Sequence, residues 1–528
     1  MLPVSSKNLV RTSFLAKNVQ GLLILGALAV SIIECWRVLN SYPFSEIIMK
    51  SISLCTTGAR LSLLKSVLAC LILALLTLQV SAAEKPNILF IFADDQCYET
   101  IGAFGLTDID TPNLDKLANQ GTVFTNTYNM GGWHGAICVA SRTMINTGRF
   151  LWRARELDSD LSQEVRDGRM WSQLMHNGGY ETFFTGKWHV NADTGAIFDH
   201  VSNVRPGMPG PIFYPEAYGR PIEGQPDPWS PTDPKFEGFW AGGEHWSEVV
   251  ADNAENFMQV SSRSDKPFFM YLAFNAPHDP RQAPQEYLDR YPLDRIEVPE
   301  NFAADYPYMA GTGAAEIRDE VLAPFPRTEY AVKVHRREYY ALITHMDNQI
   351  GRILDALEKS GKADNTYIFF TADHGLAVGH HGFIGKQNMY EHSLRPPLMV
   401  MGPKIPRGEK IETPVYLQDV MATSLELASI AQPDYVEFKS LMPLIEGKRD
   451  KQYDYIYGAY EPDSQRAFIS GDYKMIYYPR IDTYRLYNLN SDPMEMDDLA
   501  KKSKYEGKMA ELKSAFVWFQ GRMADPLK

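Results

Sequence analysis

Cysteine is scarce in this chain. Five are present among 528 residues, and Cys35, Cys55 and Cys70 lie in the first 83 positions, leaving only Cys97 and Cys138. If Cys138 serves chemistry, no disulfide pair remains, so a disulfide-stapled fold is excluded and the structure must stand on its core. Basic excess is also missing. Fifty-two Lys and Arg stand against 65 Asp and Glu, a formal net charge of −13, and no basic patch suited to nucleic acid is visible. The 37 Gly and 33 Pro are scattered, with no low-complexity tract and no repeat period, which excludes a solenoid. What is present is apolar bulk: 45% hydrophobic and 12% aromatic residues, enough for a large core and two or three domains.

Residues 1–83 read as a targeting region. The apolar run Val67–Leu76 follows Lys50, Arg60 and Lys65 and precedes the small residues Val80-Ser81-Ala82-Ala83, the layout of a secretory signal peptide, with Met49 as the expected start and 49–83 as its extent. The earlier apolar stretch from Gly21 to Ile33 is short for a membrane span. The expectation is an exported protein, periplasmic or extracellular, with no stable membrane insertion after cleavage. Removing this segment leaves 45 basic and 63 acidic residues, a net of −18. Such a chain can hold an anionic substrate only by concentrating its cations locally.

Beyond residue 83, four apolar runs read as strands buried on both faces, and each ends in polar residues. Asn87–Ala93 ends in Asp94-Asp95, adjacent carboxylates that repel unless a cation holds them. Thr182–Thr185 runs into Gly186-Lys187-Trp188-His189. Phe268–Phe274 is followed by Asn275-Ala276-Pro277-His278, and Tyr367–Thr371 by Asp373-His374-Gly375, with Gly385-Lys386 shortly after. A long amphipathic helix is expected over Arg336–Ser360. Residues 190–245 form a Pro-, Gly- and aromatic-rich excursion of the kind that lines pockets. From about Lys451 the pattern changes to short strands and a final helix over Met509–Met523.

Cys138-Val139-Ala140-Ser141-Arg142 follows a glycine-containing loop and opens a short helix closed by Gly148. Cys138 then sits at or just before a helix N-terminus, where unpaired N–H groups and the dipole favour anions, and Arg142 adds a positive fork one turn on. Taken alone, the cysteine could equally be a small buried hydrophobe. Taken together, the strand ends deliver acids, imidazoles and lysines to the carboxyl edge of an open α/β sheet, where ligands gather. The acids suit a hard cation such as Ca2+, and the lysines and histidines suit an anionic ester.

These motifs, in this order, resemble a type I, formylglycine-dependent sulfatase of the alkaline-phosphatase superfamily. The resemblance rests on Pro86-Asn87 with Asp94-Asp95, Cys138–Arg142 running to Thr147-Gly148-Arg149, Gly186–His189, Ala276-Pro277-His278, Asp373–Gly375, Gly385-Lys386 and the tail motif Leu486–Leu489 with Asp492-Pro493, and covers most of residues 86–500. It implies an α/β fold: a large mixed, mostly parallel sheet sandwiched by helices, with a small C-terminal antiparallel sheet and helix. The catalytic domain is expected over 84–450 and the C-terminal subdomain over 451–528. It further implies that Cys138 becomes formylglycine, made by a formylglycine-generating or radical maturation enzyme, and that its hydrate is the nucleophile. A hydrated aldehyde can expel sulfate by re-forming its carbonyl, an exit a thiol lacks. One Ca2+ would be bound by Asp94, Asp95, Asp373, His374 and the modified Cys138. Arg142, Lys187 and Lys386 would stabilise the sulfate and the hydrate, His189 would take the hydrate's remaining proton, and His278 would donate to or bond the leaving oxygen.

Two positions depart from the commoner pattern. Ala140 stands where Pro is usual, which leaves open which maturation enzyme acts, and His374 stands where many relatives carry Asn. The expected substrate is a sulfated glycan, with His134, Arg153, His245, Trp246 and His381 as candidate substrate contacts. The rival reading is a phosphonate or phosphate diester hydrolase of the same superfamily, and a third is a non-catalytic carbohydrate-binding relative.

Overall fold

The strand Asn87–Ala93 (β1) is the centre of the molecule: all seven residues are buried, and its two faces feed two cores. Leu89, Ile91 and Ala93 enter one apolar cluster, Ile88, Phe90 and Phe92 the other. This is what the period-2 side-chain alternation of a strand covered on both sides requires. The computed structural model describes residues 85–208, 214–309 and 317–528, and Lys85–Lys528 packs as one unit. The expected signal peptide lies outside the described residues. No helix among the described residues is long and apolar enough to cross a membrane.

The remaining strands, in chain order, are Thr122–Phe124 (β2), Thr127–Tyr128 (β3), Gly131–Gly132 (β4), Glu181–Lys187 (β5), His200–Arg205 (β6), Phe268–Ala273 (β7), Thr366–Ala372 (β8), Leu398–Met401 (β9), Glu409–Ile411 (β10), Val415–Tyr416 (β11), Ile456–Tyr460 (β12), Gln465–Ser470 (β13), Tyr473–Tyr478 (β14) and Thr483–Asn488 (β15). The main sheet has eight strands in the order β10-β2-β9-β8-β1-β7-β5-β6. Its core, β8-β1-β7-β5-β6, is parallel, and β9 alone runs against its neighbours. Pro112–Gln120 (α1), Trp246–Ser261 (α5) and the 31-residue Glu329–Lys359 (α6) cover the first face. Between them in sequence, Ile137–Thr147 (α2), Leu151–Asp158 (α3) and Trp171–Asn177 (α4) lie after β4; α4 covers the second face together with Asp419–Leu427 (α8), which follows the single turn Glu391–Leu394 (α7). The mostly parallel α/β fold is as expected from the apolar runs.

Three features differ in detail from the sequence reading. The long helix begins at Glu329, not Arg336, because the Thr328 side chain accepts the Ala331 N–H and caps it one to two turns earlier. The excursion after residue 190 contains an exposed edge strand, β6, which carries no apolar run to announce it. The C-terminal sheet, β15-β14-β13-β12-β4, takes its last strand from Gly131-Gly132, immediately upstream of Cys138. That sheet and the final helix Glu506–Met523 (α9) therefore buttress the loop that leads to α2.

Candidate active site

Each ligand-bearing segment begins where a buried strand runs out. Past β1 the chain turns at Asp95, whose φ of 65° is in the left-handed region that Asp tolerates, and both Asp94 and Asp95 are fully buried. Past β8 come Asp373 and His374. The Asp95 N–H donates to Asp373 Oδ1 (3.1 Å), which ties the two turns together. In β5, Gly186 has a φ of 97°, and a Cβ there would meet the Ala273 carbonyl of β7 at 1.8 Å, so only glycine permits the kink that ends the strand at Lys187.

Cys138 is the second residue of α2 and is buried. Its Sγ lies 3.2 Å from His189 Nδ1. Arg142, one turn on, is wholly buried: Nε donates to Asp373 Oδ2 (3.0 Å), Nη1 donates to the Lys187 carbonyl (2.8 Å), and the guanidinium lies over the Phe92 ring. Lys187 Nζ donates to Asp94. Lys386 Nζ donates to both Asp95 oxygens (2.8 and 2.7 Å) and stands 3.2 Å from His278 Nε2. The ten residues expected at the sulfate and metal site thus come together in one cluster.

The electrostatics of that cluster are compatible with a cation. Burial and repulsion from Asp373 outweigh Lys187 and hold the Asp94 carboxyl well above its usual range. Burial lowers the His374 imidazole, but Asp95 and Asp373 overcome it and lift it to about 10, so positive charge is drawn to this corner. One ligand atom from each of Asp94, Asp95, Asp373 and His374 lies within 4.8 Å of the others. Asp94 Oδ1 is buried without a hydrogen-bond partner, and so is His374 Nε2, which is 2.9 Å from Asp95 Oδ1 but not aligned for a bond. His374 Nδ1 is 2.7 Å from the Gly375 carbonyl, which orients the ring with Nε2 inward. Three carboxylates and one inward imidazole fit a divalent metal ion.

The anion side is equally defined. Burial pushes the Cys138 thiol up, but Lys187, His189 and Lys386 together hold it well below the usual range. Arg142 Nη2 is buried and without a hydrogen-bond partner. His278 is pushed down to about 4 by burial and by Lys386. Its Nδ1 donates to the Asp279 carbonyl (2.6 Å), leaving Nε2 beside Lys386.

The five candidate substrate contacts are placed differently. His134 is exposed on the loop before Cys138, and its Nδ1 accepts the Ala136 N–H. Arg153 pairs with Glu437 and donates to the Arg522 carbonyl. His245 is buried, caps α5 through the Ser247 N–H and has Nε2 3.1 Å from the Gln282 carbonyl; Trp246 donates to the Ala241 carbonyl. His381 stacks on Tyr390 and meets Asn301. The last four make these contacts outside the catalytic cluster. Residues not foreseen surround it instead. Gly207 lies against His189, and a Cβ there would stand 2.2 Å from His189 Cε1. Gln387 and Asp279 could have been noticed as neighbours of Lys386 and His278, whereas Arg318 and Asp319 carry no sequence signal at all.

The Gly207 contact makes a prediction. Gly207→Ala displaces the His189 ring and lowers kcat by roughly 10²-fold, as a misplacement of about 1 Å at a reacting group does. The melting temperature should stay close to wild type. Unchanged kcat would show that the ring has room to move.

A buried cluster of three carboxylates and an imidazole that could hold a metal ion, set among lysines and an arginine at the carboxyl edge of an α/β sheet, fits a hydrolase of anionic esters. The sulfatase family profile matches residues 86–430, and the profile described as N-sulphoglucosamine sulphohydrolase, C-terminal, matches residues 379–520. The chain is 27% identical to an N-acetylglucosamine-6-O-sulfatase of Bacteroides thetaiotaomicron, over 82% of this chain and 86% of that protein. It is 28% identical to an arylsulfatase of Clostridium perfringens, over 82% and 94%. Among solved structures, one of a protein in complex with its substrate D-glucosamine-2-N,6-O-disulfate superposes with a TM-score of 0.65 at 24% identity, covering 84% of this chain and 98% of that one. A phosphonate monoester hydrolase of Silicibacter pomeroyi gives 0.66 at 19% identity, over 83% and 96%, and shares the fold. The chain belongs to the sulfatase family and is a sulfuric ester hydrolase.

Proposed function

We propose that this enzyme removes a sulfate ester from a sulfated carbohydrate, using Cys138 oxidised to formylglycine and one bound Ca2+. The observation that carries the reading is the placement of Cys138 in contact with His189 and under the charge of Lys187 and Lys386, one helical turn before Arg142, which bonds the buried Asp373. The thiol here marks the position of the modified side chain. The modification supplies a hydrated aldehyde oxygen as nucleophile and lets sulfate leave as the carbonyl re-forms. Asp94, Asp95, Asp373, His374 and the modified residue would hold the cation, which when bound offsets their charge and polarises a sulfate oxygen.

The chain's own residues do the rest. Arg142 is pinned by Asp373 and by the Lys187 carbonyl, so its fork cannot swing away and costs little reorganisation when an anion arrives. Lys187 and Lys386 are tethered to Asp94 and Asp95, and present charge to sulfate. His189 is within reach of the nucleophile position and takes its proton. His278 and Lys386 form the corner that meets the departing oxygen.

The names of the relatives support a sugar sulfate as substrate, and the profile match at 379–520 supports a glucosamine-like one. The N-terminal apolar segment supports export to the periplasm or beyond. The catalytic domain is taken as 84–450 and the C-terminal subdomain as 451–528. The deciding assay compares kcat/KM of the matured enzyme on 4-nitrophenyl sulfate and on an aryl phosphonate monoester, then screens sulfated glycans for sulfate release. The sulfate ester should be preferred by about 10²-fold or more. Preference for the phosphonate would replace this reading by the rival one, which the Silicibacter pomeroyi fold match keeps in view.

A further inference from the structure

The segment containing Arg318 belongs to none of the catalytic motifs, yet it is built into the leaving-group corner. Arg318 bonds the Asp279 carboxylate with both Nη atoms, and Nη2 also donates to Asp319 Oδ1. Asp279 and Asp319 are almost wholly buried, at 2% and 3% side-chain exposure, and Arg318 is 22% exposed. Asp279 follows His278 directly; its carbonyl receives the His278 Nδ1 proton, and its Oδ1 lies 3.5 Å from the same nitrogen. Asp319 Oδ2 accepts from Gln387 Nε2 (2.9 Å), which also donates to the Gly135 carbonyl (3.0 Å). The Lys386 N–H donates to Gln387 Oε1 (3.1 Å), and Lys386 Nζ is 4.0 Å from Asp319 Oδ2.

The segment is seated firmly. Glu320 accepts the N–H groups of Ile384 and Gly385 (both 2.9 Å) and pairs with Arg327 (2.6 Å). Gly385 allows the approach, because a Cβ there would stand 2.7 Å from Asp319 Cβ. A hydrogen-bonded chain therefore runs from the loop before Cys138 to His278, through Gly135, Gln387, Asp319, Arg318 and Asp279.

Two buried carboxylates on separate segments repel each other unless one cation spans them, and a guanidinium fork does so at fixed geometry where an ammonium cannot. We propose that Arg318 is a positioning residue for the departing oxygen: it acts on His278 through Asp279, and on Lys386 through Asp319 and Gln387. This rests on the sulfate-ester reading above. Arg318 does not touch the reacting atoms; it sets the spacing of the two groups that do.

Its signature is a changed dependence on leaving group. A hydrogen bond to the departing oxygen contributes more as that oxygen carries more charge, so a misplaced corner penalises poor leaving groups most. The test is kcat/KM of the matured, metal-loaded enzyme on a series of substituted phenyl sulfates, for wild type, Arg318→Lys and Asp319→Asn. Arg318→Lys keeps the charge and loses the fork. We expect a loss of about tenfold on phenyl sulfate and at most about threefold on 4-nitrophenyl sulfate, with melting temperature nearly unchanged. Asp319→Asn, nearly isosteric, should steepen the same dependence even if Arg318→Lys folds poorly. Equal loss across the series, or none, overturns the proposal. If wild type hydrolyses aryl phosphonates rather than sulfates, the substrate reading fails instead, and the same slopes on aryl phosphonates still decide the role of Arg318.

Discussion

Cys138→Ala should abolish sulfate release, with kcat/KM falling by at least about 10⁴-fold at an unchanged melting temperature. The site explains both halves of that expectation. Cys138 packs at the start of α2 with its backbone held by the helix, so a methyl group fills the place with little disturbance. What vanishes is the atom that faces His189, Lys187 and Lys386. With an alanine there, the cations still bind the anion, but nothing attacks it. The mass of the peptide containing residue 138 gives the companion measurement. In active protein it should show formylglycine in place of cysteine. Chain that retains the thiol should stall after no more than one equivalent of product, for want of a way to release sulfate. Alanine variant activity within about tenfold of wild type would remove Cys138 from the reaction.

Much of this architecture was legible in the sequence, and the reason is physical. β1, β7 and β8 are buried on both faces, so each reads as an unbroken apolar run, and the polar residues past each run necessarily fall on one sheet edge. That rule alone points to Asp94, His278 and Asp373. Helix geometry points to Arg142, one turn beyond Cys138. What stayed hidden depends on contacts between distant segments. β6 is an exposed edge with no apolar signature, and β4 is two glycines that become a strand only by pairing with β12. Arg318 and Asp319 look like any surface pair until Glu320 docks them on the Lys386 loop. His245 and Trp246 stand at the end of the excursion expected to line a pocket, and the structure engages them, with Arg153, in a helix cap, a carbonyl contact and an ion pair.

Chelation should be the second large effect. Stripping the divalent ion is expected to lower kcat/KM by about 10³-fold or more and to reduce the melting temperature, with Ca2+ restoring both. Asp94, Asp95 and Asp373 are all fully buried, and their neighbours are already committed: Lys187 to Asp94, Lys386 to Asp95 and Arg142 to Asp373. With those three cations in place, Asp95 and Asp373 are held below their usual range, whereas burial and repulsion from Asp373 hold the Asp94 carboxyl well above its own, and Asp95 and Asp373 lift His374 to about 10. A bound cation would offset the charge on Asp94, and its loss would strand acids that cannot reach water. The proposed choice of Ca2+ rests on the donor set. Ca2+ accepts six to eight ligands at variable geometry, whereas Mg2+ demands a near-ideal octahedron and keeps several waters, which a buried cradle of three carboxylates suits less. Recovery by Ca2+ should therefore exceed recovery by Mg2+ at equal concentration, and His374→Asn, which exchanges an imidazole nitrogen for an amide oxygen, should tighten Ca2+. Full activity in the presence of excess chelator would show that the acids past β1 and β8 serve the fold rather than a metal, and equal recovery with either ion would overturn the choice of Ca2+.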